Sequence, residues 1–485
     1  MSTPAAVTDP APLTFYGGLA GALAPFAAFL GGVAVLAFAK SPDEKGFWPI
    51  LLGALILGLL LARDRARYCE AMLDGMSQRV VMVMLCAWLF AGVLGTILAA
   101  SGFVGALAWL AKAAHLTGGG YVAAAFLACA LVSTATGTSF GTILLAGPLL
   151  FPAGGPAGAD PAVLMGAILG GATFGDSISP VSDTTIASSG SQDADIGGTV
   201  RSRLRYVLPA GLVALVVSAL TGSRADVIAL QGVAAAASLD ARPMALVMLG
   251  APALVILMLL RQRHLIEALL LGIALSVVLG LSLRLLTPYA ILHLVPGTFG
   301  ATGLVVDGMQ RALGVSVFTL LLVALVGTLQ ATDVLERLVA AAANRATGAQ
   351  TGEWWIVGVV SAAVLITTHS VVAILAVGAF ARQTGARFGL SRYRRANLLD
   401  LTVCTWPFLL PWFLPTILAA SASGGAGNYG MPVQSPWSIG MHNSYAWALV
   451  GMVVLSVVTG YGRTFDAATI VPSGMRPLDI AGTPR

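Results

Sequence analysis

Residues 170–190 read Gly-Gly-Ala-Thr-Phe-Gly-Asp-Ser-Ile-Ser-Pro-Val-Ser-Asp-Thr-Thr-Ile-Ala-Ser-Ser-Gly, setting Asp176 and Asp183 among the hydroxyls of Ser177, Ser179, Ser182, Thr184 and Thr185. Carboxylates, hydroxyls and freed backbone carbonyls are the oxygen donors that a hard cation such as Na⁺ takes. The segment follows an apolar run. A carboxylate at membrane depth costs roughly 2.5–3.5 kcal/mol on insertion scales, so one that persists there faces a cavity or a cation. Pro180, preceded by Gly170, Gly171 and Gly175, predicts a broken helix with exposed carbonyls. A carboxylate held from water favours its protonated form, and a bound cation favours the ionised one. The same group then takes either a proton or a metal ion, and competition with alternating access suffices for exchange. The expected cation ligands are Asp176 and Asp183, helped by Ser179, Ser182 and Thr184.

Two apolar runs, 120–152 and 354–384, exceed one ordinary span of about 20 residues. Each is interrupted by small polar residues, Thr136-Gly137-Thr138-Ser139 in the first and Thr367-Thr368-His369-Ser370 in the second. They predict re-entrant hairpins whose tips present Thr136, Thr138, Ser139, Thr368, His369 and Ser370 to an ion or a substrate. His369 suits a proton carrier because its pKa lies near neutrality, against the plainer reading of a packed tip histidine. Thr138 and Ser139 compete with simple bonding to helix carbonyls. Asp400 follows the basic residues Arg392, Arg394 and Arg395 inside the apolar run 396–419 and is a possible third carboxylate; pairing with Arg394 or Arg395 is the competing reading. The second half has no copy of the Gly-Asp…Ser-Asp-Thr-Thr segment, so the two half-sites are not equivalent. No buried arginine is expected in the hairpin motifs, which leans toward an inorganic cation over a dicarboxylate.

These residues need elements to hold them at depth, and the composition supplies only one kind. Hydrophobic residues make up 57% of 485 and charged ones 10%, against about 25% charged in a soluble domain. The chain is therefore expected to be an all-α polytopic membrane protein of about ten to twelve segments. Large soluble domains, nucleic-acid binding and a secreted disulfide scaffold are excluded, and no cofactor is expected. Cys69, Cys86, Cys129 and Cys404 read as small apolar fillers. Asp74-Gly75-Met76 recurs as Asp307-Gly308-Met309, Gly95-Thr96 as Gly327-Thr328, and Thr136 with Ser139 as Thr367 with Ser370, in the same order and at nearly constant offset. The organisation expected is N-terminal transmembrane helices over 1–62, a first repeat over 63–205, connecting helices over 206–297, a second repeat over 298–419, and a last transmembrane helix with a cytoplasmic tail over 420–485. Threading each hairpin back to its own side puts 19 of the 26 basic residues on the cytoplasmic face, Arg201, Arg203, Arg205, Arg394, Arg395, Arg476 and Arg485 among them, whereas full crossings would put 16 there. That threading makes the second repeat inverted.

The run Gly175-Asp176-x-x-Ser179-Pro180-x-Ser182-Asp183-Thr184-Thr185 resembles the signature of the NhaC-type Na⁺/H⁺ antiporter family, within the ion-transporter superfamily. Ala135-Thr136-Gly137-Thr138-Ser139-Phe140-Gly141-Thr142 is similar to its companion motif, with Phe140 where the family usually carries Trp. The resemblance extends over roughly 63–462. It implies a multi-pass carrier of the bacterial inner membrane that exchanges Na⁺ for H⁺, with hairpin tips meeting near the midplane and a homodimeric assembly. Relatives of the family include carboxylate exchangers such as malate–lactate antiporters. A Na⁺- or H⁺-coupled carrier of a small organic solute, a carboxylate or an amino acid, is therefore the alternative. An enzyme is not expected. Gly175-Asp176 matches only half of the Gly-x-Gly-Asp element of intramembrane aspartyl proteases, since position 173 is Thr and no Tyr-Asp partner is present. Interrupted repeats disfavour a channel, and no P-loop supports a primary pump.

Overall fold

The computed structural model describes residues 12–38, 44–223, 243–261, 263–297, 300–342 and 345–466. The expected cytoplasmic tail past 466, with Arg476 and Arg485, lies outside the described residues. The described chain is mostly helical. Eight helices are long and apolar enough to cross a membrane, or nine if Pro436–His442 and Ser444–Thr459, bent by 55°, form one span. Among the described residues this is fewer than the ten to twelve segments expected. Several apolar runs fold as helices too short for a full crossing, among them Phe47–Leu61, Phe103–Ala113 and Ser139–Gly154.

The first half runs α1 (Leu19–Phe38), α2 (Phe47–Leu61), α3 (Arg65–Met76), α4 (Arg79–Ala100), α5 (Phe103–Ala113), α6 (Gly119–Thr136), α7 (Ser139–Gly154), α8 (Pro161–Ile178), α9 (Asp183–Ser191) and α10 (Ile196–Thr221). Then come α11 (Gly250–Leu260), α12 (Leu265–Ser282) and a small antiparallel ribbon of β1 (His293–Leu294) and β2 (Ala301–Thr302). The second half runs α13 (Leu304–Gln330), α14 (Val334–Ala342), α15 (Ala349–Thr367), α16 (Ser370–Arg387), α17 (Arg392–Val403), α18 (Leu414–Ala422), α19 (Pro436–His442) and α20 (Ser444–Thr459).

Both interrupted runs fold as helical hairpins. At the base of α6–α7, the Tyr121 hydroxyl donates to the Leu150 carbonyl at 2.7 Å and the Gly118 amide to Ala157 at 2.7 Å. Gly137, with φ +69°, turns the tip. In α15–α16, Gly352 near the base faces Thr384 and Phe388 of the returning arm, and the equivalent turn falls on Thr368 at φ +51°. A β-branched residue in the left-handed region is an outlier held by its surroundings.

Two further interruptions follow the hairpins. Pro180 has no amide to donate and forces Ser179 into an extended conformation (ψ 129°), ending α8; α9 restarts after Ser182 (ψ 136°). The break is local, since 161–191 still forms one span. Residues 404–413 separate α17 from α18 with Pro407 and Pro411 inside.

The recurring landmarks pack on each other. A Cβ on Gly75 would lie 2.4 Å from the Val323 carbonyl and 3.0 Å from Gly327 Cα, and one on Gly308 would lie 2.5 Å from Val93 Cα. Thr96 Oγ1 donates to the Leu304 carbonyl at 2.9 Å. The start of α13 thus meets the end of α4, and its end meets α3, so α4 and α13 run antiparallel.

Three arginines counted toward the cytoplasmic face, Arg203, Arg394 and Arg395, are buried and partnered. Arg394 pairs with Glu353 at 2.8 Å, and Arg463 pairs with the other Glu353 oxygen at 2.7 Å. This network ties the base of the second hairpin to α17 and the segment after α20.

Candidate functional site

The two hairpin tips and both helix breaks enclose one cavity. Gly137–Phe140 and Thr368–Val371 line it from the tips, Asp176 and Ser182–Thr184 from the first break, and Cys404, Pro407, Phe408, Leu414 and Pro415 from the second. Its volume is about 120 Å³, against the 10–15 Å³ or so that one water needs, so it has room for an ion with part of its water shell or for a small solute.

Asp176, in the last turn of α8, is 8% exposed. The hydroxyls of Ser182 and Ser139 lie beside its carboxyl, one from the break and one from the first tip. Its Oδ1 has no hydrogen-bond partner. A buried acceptor without a partner costs about 1–3 kcal/mol, more when charged, and such an oxygen can chemically accept a cation or a proton. Ser182 and Thr184 are 3.1 Å apart, hydroxyl to hydroxyl. Thr184 also reaches the Asp400 carboxyl.

The other expected residues are placed unequally. Asp183, exposed in the first turn of α9, lines the cavity at its mouth. With His369 it also lines an adjoining cavity of about 540 Å³ that runs past Gln78 and Gly190. Ser179 is buried in the break, where its hydroxyl accepts the Val181 amide at 3.4 Å, and it does not line the cavity. Thr136 bonds back to the Val132 carbonyl at 2.9 Å within its own helix. Thr138 caps α7 by accepting the Gly141 amide at 3.2 Å. Ser370 donates to the Val403 carbonyl at 3.3 Å, joining the second tip to the second break. His369 precedes α16 without capping it, and its Nδ1 has no partner.

Asp400 is fully buried but does not line the cavity. It pairs with neither Arg394 nor Arg395; its partner is Arg203 of α10, itself fully buried. Arg203 stands outside the hairpin motifs, and its contacts are to Asp400, Asn397, Ser177, Thr185 and Ser188. The sequence carried a signal for it. Thr199, Arg203, Tyr206, Val207, Ala210 and Ala214 fall on one buried face of α10, and a cation on the apolar stripe of a helix marks an internal partner.

Four helices, α7, α9, α16 and α18, begin at this cavity. The residues before α9, α16 and α18 make no side-chain capping bond. Helix N-termini present amide donors and partial positive charge. The cavity therefore combines an unpartnered carboxylate with several amide ends. Among the described residues, no cluster of three His, Cys, Asp or Glu resembles a transition-metal site; carboxylate and hydroxyl oxygens suit a hard cation.

Residues 21–223, which hold both the first tip and the Asp176 segment, match the Na⁺/H⁺ antiporter family, in line with the resemblance those motifs carry. The Na⁺/H⁺ antiporter NhaC of Alkalihalophilus pseudofirmus is 26% identical over 242 residues, 46% of this chain and 50% of that protein. The malate-2H⁺/Na⁺-lactate antiporter of Bacillus subtilis is 35% identical over 102 residues, 21% of this chain and 22% of that protein. The arginine/ornithine antiporter ArcD of Halobacterium salinarum is 28% identical over 190 residues, 37% of each chain. The chain spans half or less of the length of these relatives. What it resembles is a family of transporters, not of enzymes.

Proposed function

With residues 21–223 matching the Na⁺/H⁺ antiporter family, we propose that the chain is a secondary transporter that exchanges Na⁺ for H⁺ across a bacterial cytoplasmic membrane. The observation that carries this reading is the unpartnered Oδ1 of buried Asp176, facing a cavity built by both hairpin tips and both helix breaks. Asp176 takes either ion. Ser139 and Ser182 beside it, with Thr184 and Thr138 on the cavity wall, complete the oxygen shell of Na⁺. A proton needs no such shell, so the two ions compete for one position. Asp183 and His369 stand where the inner cavity meets the wider one and pass ions between site and solution. The antiparallel packing of α4 on α13 supports reading the halves as inverted repeats, the architecture on which alternating access is commonly built. Assembly as a homodimer belongs to the same reading and rests on the family likeness.

A second reading is favoured by the convergent helix N-termini. Amide ends beside a carboxylate suit a small organic carboxylate or amino acid carried with a cation. Two of the relatives carry such solutes by name.

The test is reconstitution into liposomes with a pH-sensitive dye inside, followed by Na⁺, Li⁺, K⁺ and a panel of small carboxylates and amino acids in turn. Na⁺ alone is expected to move protons, and Asp176→Asn to abolish the response while leaving insertion intact. Undiminished Na⁺-driven proton movement in Asp176→Asn overturns the reading; movement only with an organic solute selects the second.

A further inference from the structure

Arg203 of α10 is fully buried and reaches three other helices at once, α8, α9 and α17. Besides Asp400, its Nε donates to Asn397 Oδ1 at 3.1 Å on α17. Nη1 donates to the Ser177 carbonyl at 3.0 Å, one residue past Asp176, and to Thr185 Oγ1 at 2.8 Å on α9. Nη2 donates to Ser188 Oγ at 3.4 Å. A guanidinium held this way is a fixed part of the interior, since removing it strands a buried carboxylate.

The other charged groups packed around the cluster are engaged elsewhere or stand outside it. Arg394 is held by Glu353, and Arg395 by Gln192 and the Leu390 carbonyl. Arg382 pairs with Asp193 at the surface. Asp183 is exposed to water at the mouth, with His369 beside it. Cys404 lies between Asp400 and the cavity, its sulfur 3.9 Å from Oδ1. Within the buried cluster, two carboxylates, when ionised, stand against one guanidinium, which leaves one negative charge, and the carboxylate without an ion-pair partner is Asp176.

We propose that Arg203 is the built-in counter-ion of Asp400, so that Asp400 positions the site while Asp176 alone takes the transported cation, and each Na⁺ exchanges for one proton without net movement of charge. The proposal rests on the exchange reading above and adds the stoichiometry and the residue that sets it. In a site with both aspartates free, the protonated carrier takes two protons against one Na⁺. Arg203 occupies the second position permanently. Asp400 then serves the frame instead of the ion. With Asn397 it clamps α10 to α17, while Arg203 fixes the backbone next to Asp176.

The experiment uses the full chain in proteoliposomes with a membrane potential set by K⁺ and valinomycin, recording the Na⁺ gradient at which proton flux reverses. One net charge per cycle is worth about 2.3 kcal/mol per 100 mV, roughly a 50-fold shift of the reversing gradient. For the wild type no shift is expected. Arg203→Gln leaves Asp400 to be neutralised by a second cation and is expected to shift the reversal point with potential, while Arg203→Lys restores insensitivity. A wild-type reversal point that moves about 50-fold per 100 mV overturns the proposal and leaves Na⁺/H⁺ exchange standing. An Arg203→Gln protein that exchanges as the wild type does at every potential also overturns it. Absence of any Na⁺-driven proton movement in the wild type removes the exchange reading and this inference together. Should Arg203→Gln fail to insert, the wild-type measurement decides alone.

Discussion

Replacing Gly175 by Ala tests how closely Asp176 must be held. Gly175 precedes Asp176 on α8 and lies against α6, the first arm of the first hairpin. A Cβ there would sit 2.4 Å from the Ala130 carbonyl oxygen, 2.6 Å from Ser133 Cβ and 2.7 Å from the Thr134 amide nitrogen. Two of these are backbone atoms of a hydrogen-bonded helix, so no rotamer change relieves the contact. Relief to an ordinary separation of about 3.4 Å needs α8 and α6 to part by about 1 Å, which exceeds the tolerance of about 0.5 Å for a binding constellation. Overpacking of this kind costs about 1–3 kcal/mol. Ser139 at the tip and Asp176 on α8 move apart in the same displacement, so the oxygen shell loosens. The expected result is a Na⁺ half-saturation raised about tenfold or more, equivalent to about 1.4 kcal/mol, in a protein that still inserts and folds. The assay is dye-reported proton efflux over a Na⁺ titration, with thermal unfolding in detergent as the control. Wild-type half-saturation would refute the claim that the contact of α8 with the hairpin sets the site.

Two predictions concern the frame around the site. Glu353→Ala removes a buried carboxylate that answers both Arg394 and Arg463 and is expected to cost about 3–5 kcal/mol by stranding the guanidinium groups; a loss under about 1 kcal/mol in unfolding experiments would contradict that role. At the surface, the Tyr393 hydroxyl, and after it the Gly198 amide, hold the Asp195 carboxyl below the usual carboxylate range. A lowered folded-state pKa contributes stability above the unfolded value, about 3.9, and loses it as pH falls through the folded one. Tyr393→Phe should therefore be less stable than wild type near pH 5–7 and converge with it in strong acid; a gap that stays constant to acid pH counts against the bond.

The sequence alone determined the solvent of this protein and the places where its helices stop. So few charges cannot cover a water-facing surface, and the consequence needs no knowledge of contacts. The interruptions at Gly137, Pro180 and Thr368 were legible for an equally local reason. Proline lacks an amide, glycine tolerates positive φ, and clustered hydroxyls compete with the helix for its own hydrogen bonds. The weight of Asp176 followed from its type and its flanking hydroxyls. Only the tertiary structure decided which charges meet. Asp400 stands six residues from Arg394 and five from Arg395 in sequence, yet its partner is Arg203, brought by α10 from the other half of the chain. Asp183 carries the same motif as Asp176 and emerges at the mouth, because the restart after Ser182 turns it outward while Asp176 stays on the inner face of α8. A backbone break is set by the residues at the break, whereas the partner of a buried charge is set by helices nearly two hundred residues away. In a membrane, where an unanswered charge is so costly, that distant pairing determines which buried carboxylate is left without an ion-pair partner.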